Sequence, residues 1–348
     1  MTCEENPLTT RIPEAELSAL ATRALALAGL SDADAATVAG VLIQADMMGI
    51  STHGMVRLSP YTTRLRNGAV DPNAVPGVDQ RAASLALVDG NNAHGPVVAT
   101  AALEAAMRIA GETGIAYVGC RNSNHLGALV PYALRACEAG FVMLAGTGAS
   151  ATMPPFGGAE ARIGNNPLCV AAPCPEGPHF ILDMAMSVAA RGKIRAARDA
   201  GQSIPEGWAV DAAGKPTTDP VRALEGFLVA VGGHKGSGLS MASDILSDVM
   251  AGARFLTGIS SWTDNIDAPQ QLGHFFLLID PARLIGRDAF AKAMASFSET
   301  VRSATPADPK VPVMLPGERE QTMMAEAARL GVPLKDEILA EVKALAGG

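Results

Sequence analysis

The sequence is poor in aromatic residues, in positive charge and in long apolar runs. Its 348 residues include nine Phe, three Tyr and two Trp, and the formal net charge is −8. No apolar run approaches the ~18 residues that a membrane-spanning helix needs, so we expect no membrane partner. Binding to nucleic acid through counterion release requires a basic face, and the acidic balance argues against such a partner.

Residue patterns typical of metal sites are also missing. The six histidines include no His-x-x-x-His pair and the cysteines no Cys-x-x-Cys pair, so we expect no bound metal. The five cysteines are Cys3, Cys120, Cys137, Cys169 and Cys174. An odd number of scattered thiols is typical of a reduced protein, and the N-terminal residues are acidic where a signal peptide is basic. We therefore predict a cytoplasmic location.

A third absence concerns nucleotide binding. No Gly-x-Gly-x-x-Gly follows a first strand, so the usual dinucleotide-binding fold has no fingerprint here. The overall composition, with 48% hydrophobic and 18% charged residues, is ordinary for a globular protein. A chain of this length exceeds one compact core, and we expect two or more lobes.

The order of the predicted elements indicates the fold class. Both ends of the chain have helical spacing, with Ser31 as an N-cap, and we expect them to fold against each other. From about Gly95, apolar strands alternate with helices, which indicates an α/β sheet. Residues 202–219 are rich in Pro, Gly and Asp and predict a surface excursion. The predicted strands are residues 115–119, 141–145, 168–172, 180–182 and 275–279, and the predicted division is a helical region of residues 1–75 and 285–348 and an α/β region of residues 76–284.

The first polar segment is residues 45–57, where Thr52 and His53 lie in a turn between two predicted helices. A histidine there can face a cleft beside a hydroxyl that orients its ring. Arg57, one helical turn further on, can hold a carboxylate. The alternative is a capping Ser/Thr beside a surface histidine, and spacing alone favours that alternative.

The second and third segments lie near predicted strands. Residues 121–127 follow a strand at the end where ligands bind in open α/β sheets, although a plain polar turn is the alternative. Residues 156–167 supply glycines and Asn side chains that can donate to a carbonyl. Asp183, at the end of an apolar strand, can either orient a histidine or cap a helix.

The fourth segment is a glycine-rich turn, residues 232–238, that leads into a helix. Backbone N–H groups at a helix start, together with Lys235, form an anion site suited to a nucleotide phosphate. The turn is not a P-loop, because Lys235 is followed by Gly236, and a flexible turn is the alternative. Spacing alone therefore predicts an α/β enzyme with an anion-binding turn.

Taken in this order, the segments resemble the malate/L-lactate dehydrogenase family, which is distinct from the Rossmann-type lactate and malate dehydrogenases. The resemblance extends from about residue 10 to residue 320. It rests on these residues: Ala45-Asp46, Gly49, Thr52-His53-Gly54, Arg57, Asn122-Ser-Asn-His125-x-Gly127, Gly157-Gly158, Gly164-x-Asn166-Pro167, Leu182-Asp183-Met184-Ala185, Gly192-Lys193, Pro205-x-Gly-Trp208, Gly214-x-Pro-Thr-Thr-x-Pro220 and Lys235-Gly236.

The resemblance implies an α/β protein of the malate/L-lactate dehydrogenase-type fold. Its nicotinamide-binding domain is of the non-Rossmann kind, which accounts for the missing glycine fingerprint. The helical region would carry part of the active site, and residues 76–284 would bind nicotinamide and substrate. Members include malate, lactate, sulfolactate and ureidoglycolate dehydrogenases, diketogulonate reductase and piperideine-2-carboxylate reductase. The expected function is NADH- or NADPH-dependent hydride transfer to C2 of a small 2-oxo acid by a homodimer.

The same resemblance implies roles for individual residues. His53 matches the proton donor, with Thr52 and Asp183 as its relay partners, and His125 matches a second active-site histidine. Arg57 and Asn166 are expected to bind substrate. The expected cofactor contacts are His125, Asp183, Met184, Ala185, Lys235, Gly236, Gly317 and Glu318.

The sequence departs from the commonest family pattern in two places. Thr52 stands where Ser is usual, and His234-Lys-Gly-Ser237 stands where malate-type members have Ala-Lys-Gly-Tyr. The second form resembles that of cyclic-imine reductases, so the alternative function is reduction of cyclic or N-alkyl 2-imino acids of the piperideine- or pyrroline-2-carboxylate type. Two further alternatives are a non-catalytic nucleotide-binding relative and a metal-dependent lyase that uses Asp46, Asp183 and the histidines.

Overall fold

The computed structural model describes residues 9–262 and 265–348. Cys3 and the acidic N-terminal residues, on which the predicted location partly depends, lie outside the described residues. Within the described ranges, no helix is long and apolar enough to cross a membrane.

The strands are β1 (Thr9–Ile12), β2 (Gly77–Ala82), β3 (Leu85–Asp89), β4 (Ile115–Ser123), β5 (Val142–Thr147), β6 (Leu168–Ala172), β7 (Phe180–Met184), β8 (Ala209–Val210), β9 (Pro216–Thr217), β10 (Phe227–Leu228), β11 (Leu272–Ile279) and β12 (Val332–Lys335). The α-helices are α1 (Glu14–Leu27), α2 (Asp32–Met47), α3 (Leu58–Arg66), α4 (Gly95–Thr113), α5 (Val130–Glu138), α6 (Arg191–Asp199), α7 (Pro220–Glu225), α8 (His234–Asp244), α9 (Ala282–Ile285), α10 (Arg287–Arg302), α11 (Glu318–Leu330) and α12 (Asp336–Leu345).

A seven-stranded open sheet forms the centre, with the strand order β2-β3-β4-β11-β5-β6-β7. The mixed α/β fold confirms the predicted class, and all five predicted strands are present. Only β3 and β4 are parallel, and the other neighbours are antiparallel. The antiparallel pair β2 and β3 was not predicted, because β2 is exposed along its whole length and carries no apolar alternation.

Helices α4 and α5 pack against the sheet and share its largest apolar cluster. Alternate residues of β4, such as Ala116 and Val118, point into this cluster. Successive strand residues face opposite sides, so Tyr117 lies on the other face, where its hydroxyl donates to the Leu246 carbonyl. The segment after α8 therefore covers the second face of the sheet.

A second core joins the two ends of the chain. Strand β1 pairs with β12, and the buried residues of this core come from residues 12–70 and 327–346. Ser31 caps α2 as predicted, accepting a hydrogen bond from the Asp34 N–H. Helix α10 falls inside the predicted helical region but contributes no residue to this core. The division into residues 1–75 with 285–348, and 76–284, stays a prediction.

A small third core lies among α6, α7 and the three-stranded sheet β10-β8-β9. Ile204 and Ala209 are almost completely buried in it. The prediction that residues 202–219 are only a surface excursion is therefore wrong. Their Pro, Gly and Asp residues form the turns of a hairpin, while these two apolar residues fill the core between them.

Helix α8 and the π-helical turn after it, Ile245–Val249, bury polar residues and expose apolar ones. Apart from Gly236, the buried residues are polar, namely Ser237, Ser240, Ser243, Asp244, Ser247 and Asp248. The exposed residues include the apolar Leu239, Met241, Ile245, Val249 and Met250. A surface helix normally buries its apolar stripe, so this element presents an unusual apolar face to the outside.

Candidate active site

The turn from α2 into α3, the ends of the central sheet and helix α6 enclose a cavity of about 260 Å³. Its lining includes three arginines, and no Asp or Glu is among the described lining residues. The cavity is therefore positively charged in a protein whose net charge is negative. The lining residues that matter below are Thr52, His53, Arg57, His125, Gly127, Thr152, Asn165, Arg191, Arg195 and Trp262.

The turn that carries Thr52 and His53 is anchored by Asp46. The Asp46 carboxyl, nearly fully buried, accepts a 2.6 Å hydrogen bond from the Met55 N–H. A Cβ at Gly54 would lie 2.0 Å from this carboxyl, so only glycine permits the approach. Burial raises the pKa of Asp46 to about 7, although the Met55 N–H opposes the rise. Asp46 thus acts inside the turn and not in the cavity, whose lining does not include it.

His53 meets its predicted neighbours Thr52 and Arg57. Its Nδ1 lies 3.0 Å from the Thr52 hydroxyl oxygen. Arg57 Nε donates to the Thr52 carbonyl at 2.6 Å, and its guanidinium lies 5.0 Å from the ring centre of Trp262. Burial, and secondarily the Arg57 charge, lower the pKa of His53 to about 4. The imidazole is therefore neutral near pH 7.

His125 stands beside His53, with ring centres 5.7 Å apart and planes inclined by 17°. The His125 ring also stacks on Trp262, with ring centres 4.6 Å apart. Its Nδ1 lies 2.6 Å from the Tyr61 hydroxyl oxygen. Burial first, then the charges of His53 and Arg57, lower the pKa of His125 well below its ordinary value. Two neutral imidazoles therefore face the same cavity.

Asp183 is not placed as the predicted relay partner of His53. Its carboxylate accepts a 3.2 Å hydrogen bond from the Leu129 N–H at the start of α5. A second backbone bond, from Val130, also lowers its pKa, but burial has the larger effect and raises this pKa to about 6. Orphan N–H groups at a helix start attract a carboxylate, and this is the helix-capping alternative. Thr52 is the only one of the two predicted relay partners that contacts His53 in the described part of the chain.

The Asn166 side chain is fully buried and Asn166 is not among the lining residues of the cavity, so its contact with substrate stays a prediction. Its amide oxygen accepts from the Ala149 N–H at 2.8 Å, and its NH₂ donates to the Ser240 carbonyl at 2.9 Å. These bonds tie the segment after β5 to α8. The neighbouring Asn165 lines the cavity instead.

The predicted cofactor contacts other than His125 lie outside the cavity lining. Lys235 is exposed in the first turn of α8, and Gly236 packs so closely on Val231 that a Cβ would lie 2.1 Å from its carbonyl oxygen. Gly317 packs on Ile181 of β7. The same strand contains Asp183 and Met184, and Ala185 follows it. The Glu318 carboxylate pairs with Arg302. Their contact with a cofactor stays a prediction.

A buried polar atom tests whether the cavity suits a polar ligand. Thr152 lines the cavity, and its hydroxyl is shielded from solvent and has no hydrogen-bond partner among the described residues. A buried hydroxyl without a partner is costly, and a carboxamide or carboxylate in the cavity can supply the missing bond. Among the described residues, no group of three or more His, Cys, Asp or Glu is placed to hold a metal ion.

Comparison with known proteins identifies the family. The sequence profile described as malate/L-lactate dehydrogenase matches residues 12–343. The chain belongs to the malate/L-lactate dehydrogenase family.

Individual members of the malate/L-lactate dehydrogenase family are similar over almost their whole length. Malate dehydrogenase of Pyrococcus horikoshii is 33% identical, covering 97% of this chain and 94% of the relative. Delta(1)-pyrroline-2-carboxylate reductase of Ancylobacter novellus is 32% identical, with 96% and 97% covered. The solved sulfolactate dehydrogenase of Methanocaldococcus jannaschii superposes with a TM-score of 0.90 at 31% identity, covering 97% of each chain. The predicted family-type fold is thereby confirmed.

Sequence reasoning missed four side chains at this cavity. Tyr61 contacts His125, Trp262 stacks on it, and Arg191 and Arg195 line the cavity. Tyr61 stands one helical turn after Arg57, so spacing on the same helix face was an available signal. Trp262 lies in a loop far along the chain, and no local pattern indicates that it reaches this site.

Proposed function

We propose that the protein transfers a hydride between a nicotinamide cofactor and C2 of a small 2-oxo acid. The observation that most supports this proposal is that His53, His125 and Arg57 line one positively charged cavity. The imidazoles can exchange or donate a proton at a carbonyl oxygen, and a guanidinium matches a carboxylate. A 2-oxo acid offers these two groups on adjacent carbons.

Arg57 is suited to hold the carboxylate of the substrate. Its Nε is occupied by the Thr52 carbonyl, and its guanidinium is stacked on Trp262, so its orientation is fixed. Its terminal nitrogens make no hydrogen bond to the described residues and remain for the ligand. Burial lowers the pKa of Arg57, which shows that the charge is held at a cost. An anionic substrate would offset that cost.

A bound reduced nicotinamide supplies the hydride, and the protein controls the proton. Neutral His53 is ready to accept the hydroxyl proton of a 2-hydroxy acid during oxidation. Burial is the main cause that lowers the pKa of His53, and the Arg57 charge adds to it. During reduction, a carboxylate on Arg57 offsets this second contribution. Binding of the acid therefore favours the protonated imidazole that reduction requires.

The alternative substrate is a cyclic or N-alkyl 2-imino acid. The pyrroline-2-carboxylate reductase relative and the His234-Lys-Gly-Ser237 turn favour it. An imine is already protonated near neutral pH and needs less help from an acid. Replacing His53 should therefore cost less with an imine than the ~10²- to 10⁴-fold loss of rate expected for a general acid.

The protein is proposed to act as a homodimer through the apolar face of α8. Met241, Ile245 and Val249 follow one another at intervals of four and are each more than 40% exposed. Exposed apolar faces of this kind mark association sites.

The cofactor is proposed to be NADH or NADPH, with Lys235 and Gly236 near its phosphates. The proposed location is the cytoplasm, which is consistent with the four buried free thiols of the described chain.

The test follows the absorbance of NADH and NADPH with a panel of 2-oxo acids, with and without methylamine, and with piperideine- and pyrroline-2-carboxylate. Oxidation of the cofactor by an oxo acid alone supports the dehydrogenase. Turnover of imines alone supports the alternative function. Cofactor binding without turnover of any substrate favours a non-catalytic relative, and a protein that binds neither cofactor contradicts the proposal.

A further inference from the structure

The two cavity histidines differ in what surrounds Nδ1. The Nδ1 of His125 accepts a hydrogen bond from the Gly127 N–H at 3.4 Å and lies 2.6 Å from the Tyr61 hydroxyl. A backbone N–H can only donate, so this nitrogen must offer its lone pair. The Tyr61 hydroxyl must then donate as well.

The environment of Tyr61 keeps it a donor. The tyrosine is almost completely buried, and its ring packs edge-on against His94 at 4.5 Å. Burial raises the pKa of Tyr61 far above its ordinary value, so the phenol retains its proton. Gly127 adopts φ +85°, a conformation that favours glycine, and its N–H points to the ring. The two donors to Nδ1 are thus a backbone N–H and the hydroxyl of a buried tyrosine.

The tautomer of His125 follows from these bonds. Its imidazole is neutral because burial and nearby charges lower its pKa. A neutral imidazole has one N–H and one lone pair. With the lone pair at Nδ1 engaged by Gly127 and Tyr61, the proton is on Nε2.

His53 has no such constraint. The partner of its Nδ1 is the Thr52 hydroxyl, which can either donate or accept. Either tautomer of His53 therefore keeps this hydrogen bond. Nε2 of His53 can carry a proton or a lone pair, as a group that exchanges protons must.

We propose that His125 is a fixed hydrogen-bond donor to the substrate through Nε2–H, that Tyr61 is its positioning residue, and that His53 alone exchanges the proton. This rests on the proposed function. In reduction, the hydride from the reduced nicotinamide brings its electron pair to C2, and the carbonyl π pair moves onto oxygen. Nε2–H of His125 stabilises that oxygen and keeps its proton. The proton that completes the hydroxyl comes from His53, and oxidised nicotinamide remains.

The tautomer can be measured without cofactor or substrate. Protein labelled with ¹⁵N in histidine is studied by long-range ¹H–¹⁵N correlation at pH 7, and the signals missing in His125→Gln identify His125. We expect a protonated Nε2 and an unprotonated Nδ1. In Tyr61→Phe the ¹⁵N shift of Nδ1 should move further from that of Nε2, because an unprotonated ring nitrogen that loses a hydrogen-bond donor is deshielded while Gly127 keeps the tautomer. Tyr117→Phe is the matched control, since its hydroxyl makes a 2.6 Å bond to Leu246 away from the cavity.

A protonated Nδ1 on wild-type His125 would overturn the assignment. Unchanged shifts in Tyr61→Phe would overturn the positioning role of Tyr61. The ¹⁵N shifts can be measured even if no tested substrate is turned over. Failure of this inference and failure of the proposed function are therefore separate results.

Kinetics then separate donation from proton exchange. A glutamine amide can replace an Nε2–H donor but cannot exchange a proton. His125→Gln retains a donor and should keep kcat within about tenfold of wild type, while His125→Leu has no donor and should lose roughly 10²- to 10³-fold. His53→Gln and His53→Leu should both lose on the order of 10²- to 10⁴-fold. Equal losses for the two His125 variants, or recovery by glutamine at position 53 only, contradict the division of roles.

Discussion

Asp248 gives a prediction about stability that can be worked from its contacts. Its carboxyl, with no exposed surface, accepts a 2.8 Å bond from the Gly273 N–H. Its second oxygen lies 2.5 Å from the Ser247 hydroxyl, which donates its proton to the Ser243 carbonyl at 2.8 Å. A protonated Asp248 can therefore donate to Ser247. Burial is the main cause that raises the pKa of Asp248 to about 8.

The sign of the pH effect follows from this raised pKa. Between the ordinary value of 3.8 and about 8, the folded protein holds a proton that the unfolded chain has released. The stability from this group is fully present below pH 3.8 and is lost as the pH rises through the folded pKa. The loss is about 1.4 kcal/mol per pH unit within that window. Asn at position 248 keeps a neutral donor and acceptor, so Asp248→Asn should not show the loss.

The assay is urea unfolding of wild type and Asp248→Asn at pH 5, 6.5 and 8. The difference in unfolding free energy, variant minus wild type, should increase by about 1.4 kcal/mol per pH unit and level off above pH 8. The exposed Asp308→Asn is the control and should show a constant difference. A constant difference for Asp248→Asn as well would refute the argument that this carboxyl is buried in its protonated form.

Three further predictions concern the site and the proposed dimer. Arg57→Ala should raise KM for a 2-oxo acid roughly 10- to 100-fold, the value of a charge-assisted hydrogen bond, with partial recovery in Arg57→Lys; steady-state kinetics with an unchanged KM would contradict carboxylate binding. Asp183→Ala should lower the unfolding free energy by about 1 kcal/mol, as expected for a lost helix cap, and keep kcat at saturating cofactor within about tenfold, less than the loss of a proton-transfer partner; a larger loss of kcat with unchanged stability in urea would reinstate the relay. Ile245→Glu should shift the protein from dimer to monomer in sedimentation velocity, while the same change at the exposed Leu284, outside the apolar face of α8, should not.

Local features were predictable because they depend on neighbours in the chain. The strands at residues 115–119 and 275–279, the Ser31 cap and the helix that opens after Gly233 all follow from spacing and turn chemistry. The turn with Thr52 and His53 belongs to the same class, because the hydroxyl and the ring are adjacent in sequence. The ordered motifs then identified the family, and the non-Rossmann fold of this family accounts for the missing glycine fingerprint.

The roles of Asp183 and Asn166 could not be decided in this way. Both residue types can serve a ligand or the backbone, and the choice depends on which donors the fold brings within 3 Å. The sheet places Asp183 against the start of α5, and α8 takes the amide of Asn166. The sequence showed that these polar groups exist, but only the packing distances showed how they are satisfied.

The sequence by itself therefore determined the α/β class, the family and the turn that presents His53. The tertiary structure decided the rest of the site. The Tyr61 hydroxyl reaches Nδ1 of His125 and Trp262 stacks on the same ring, although Tyr61, His125 and Trp262 are remote from one another in sequence. The physical reason is that hydrogen-bond direction and ring stacking depend on distances between elements, which hydrophobic periodicity does not encode.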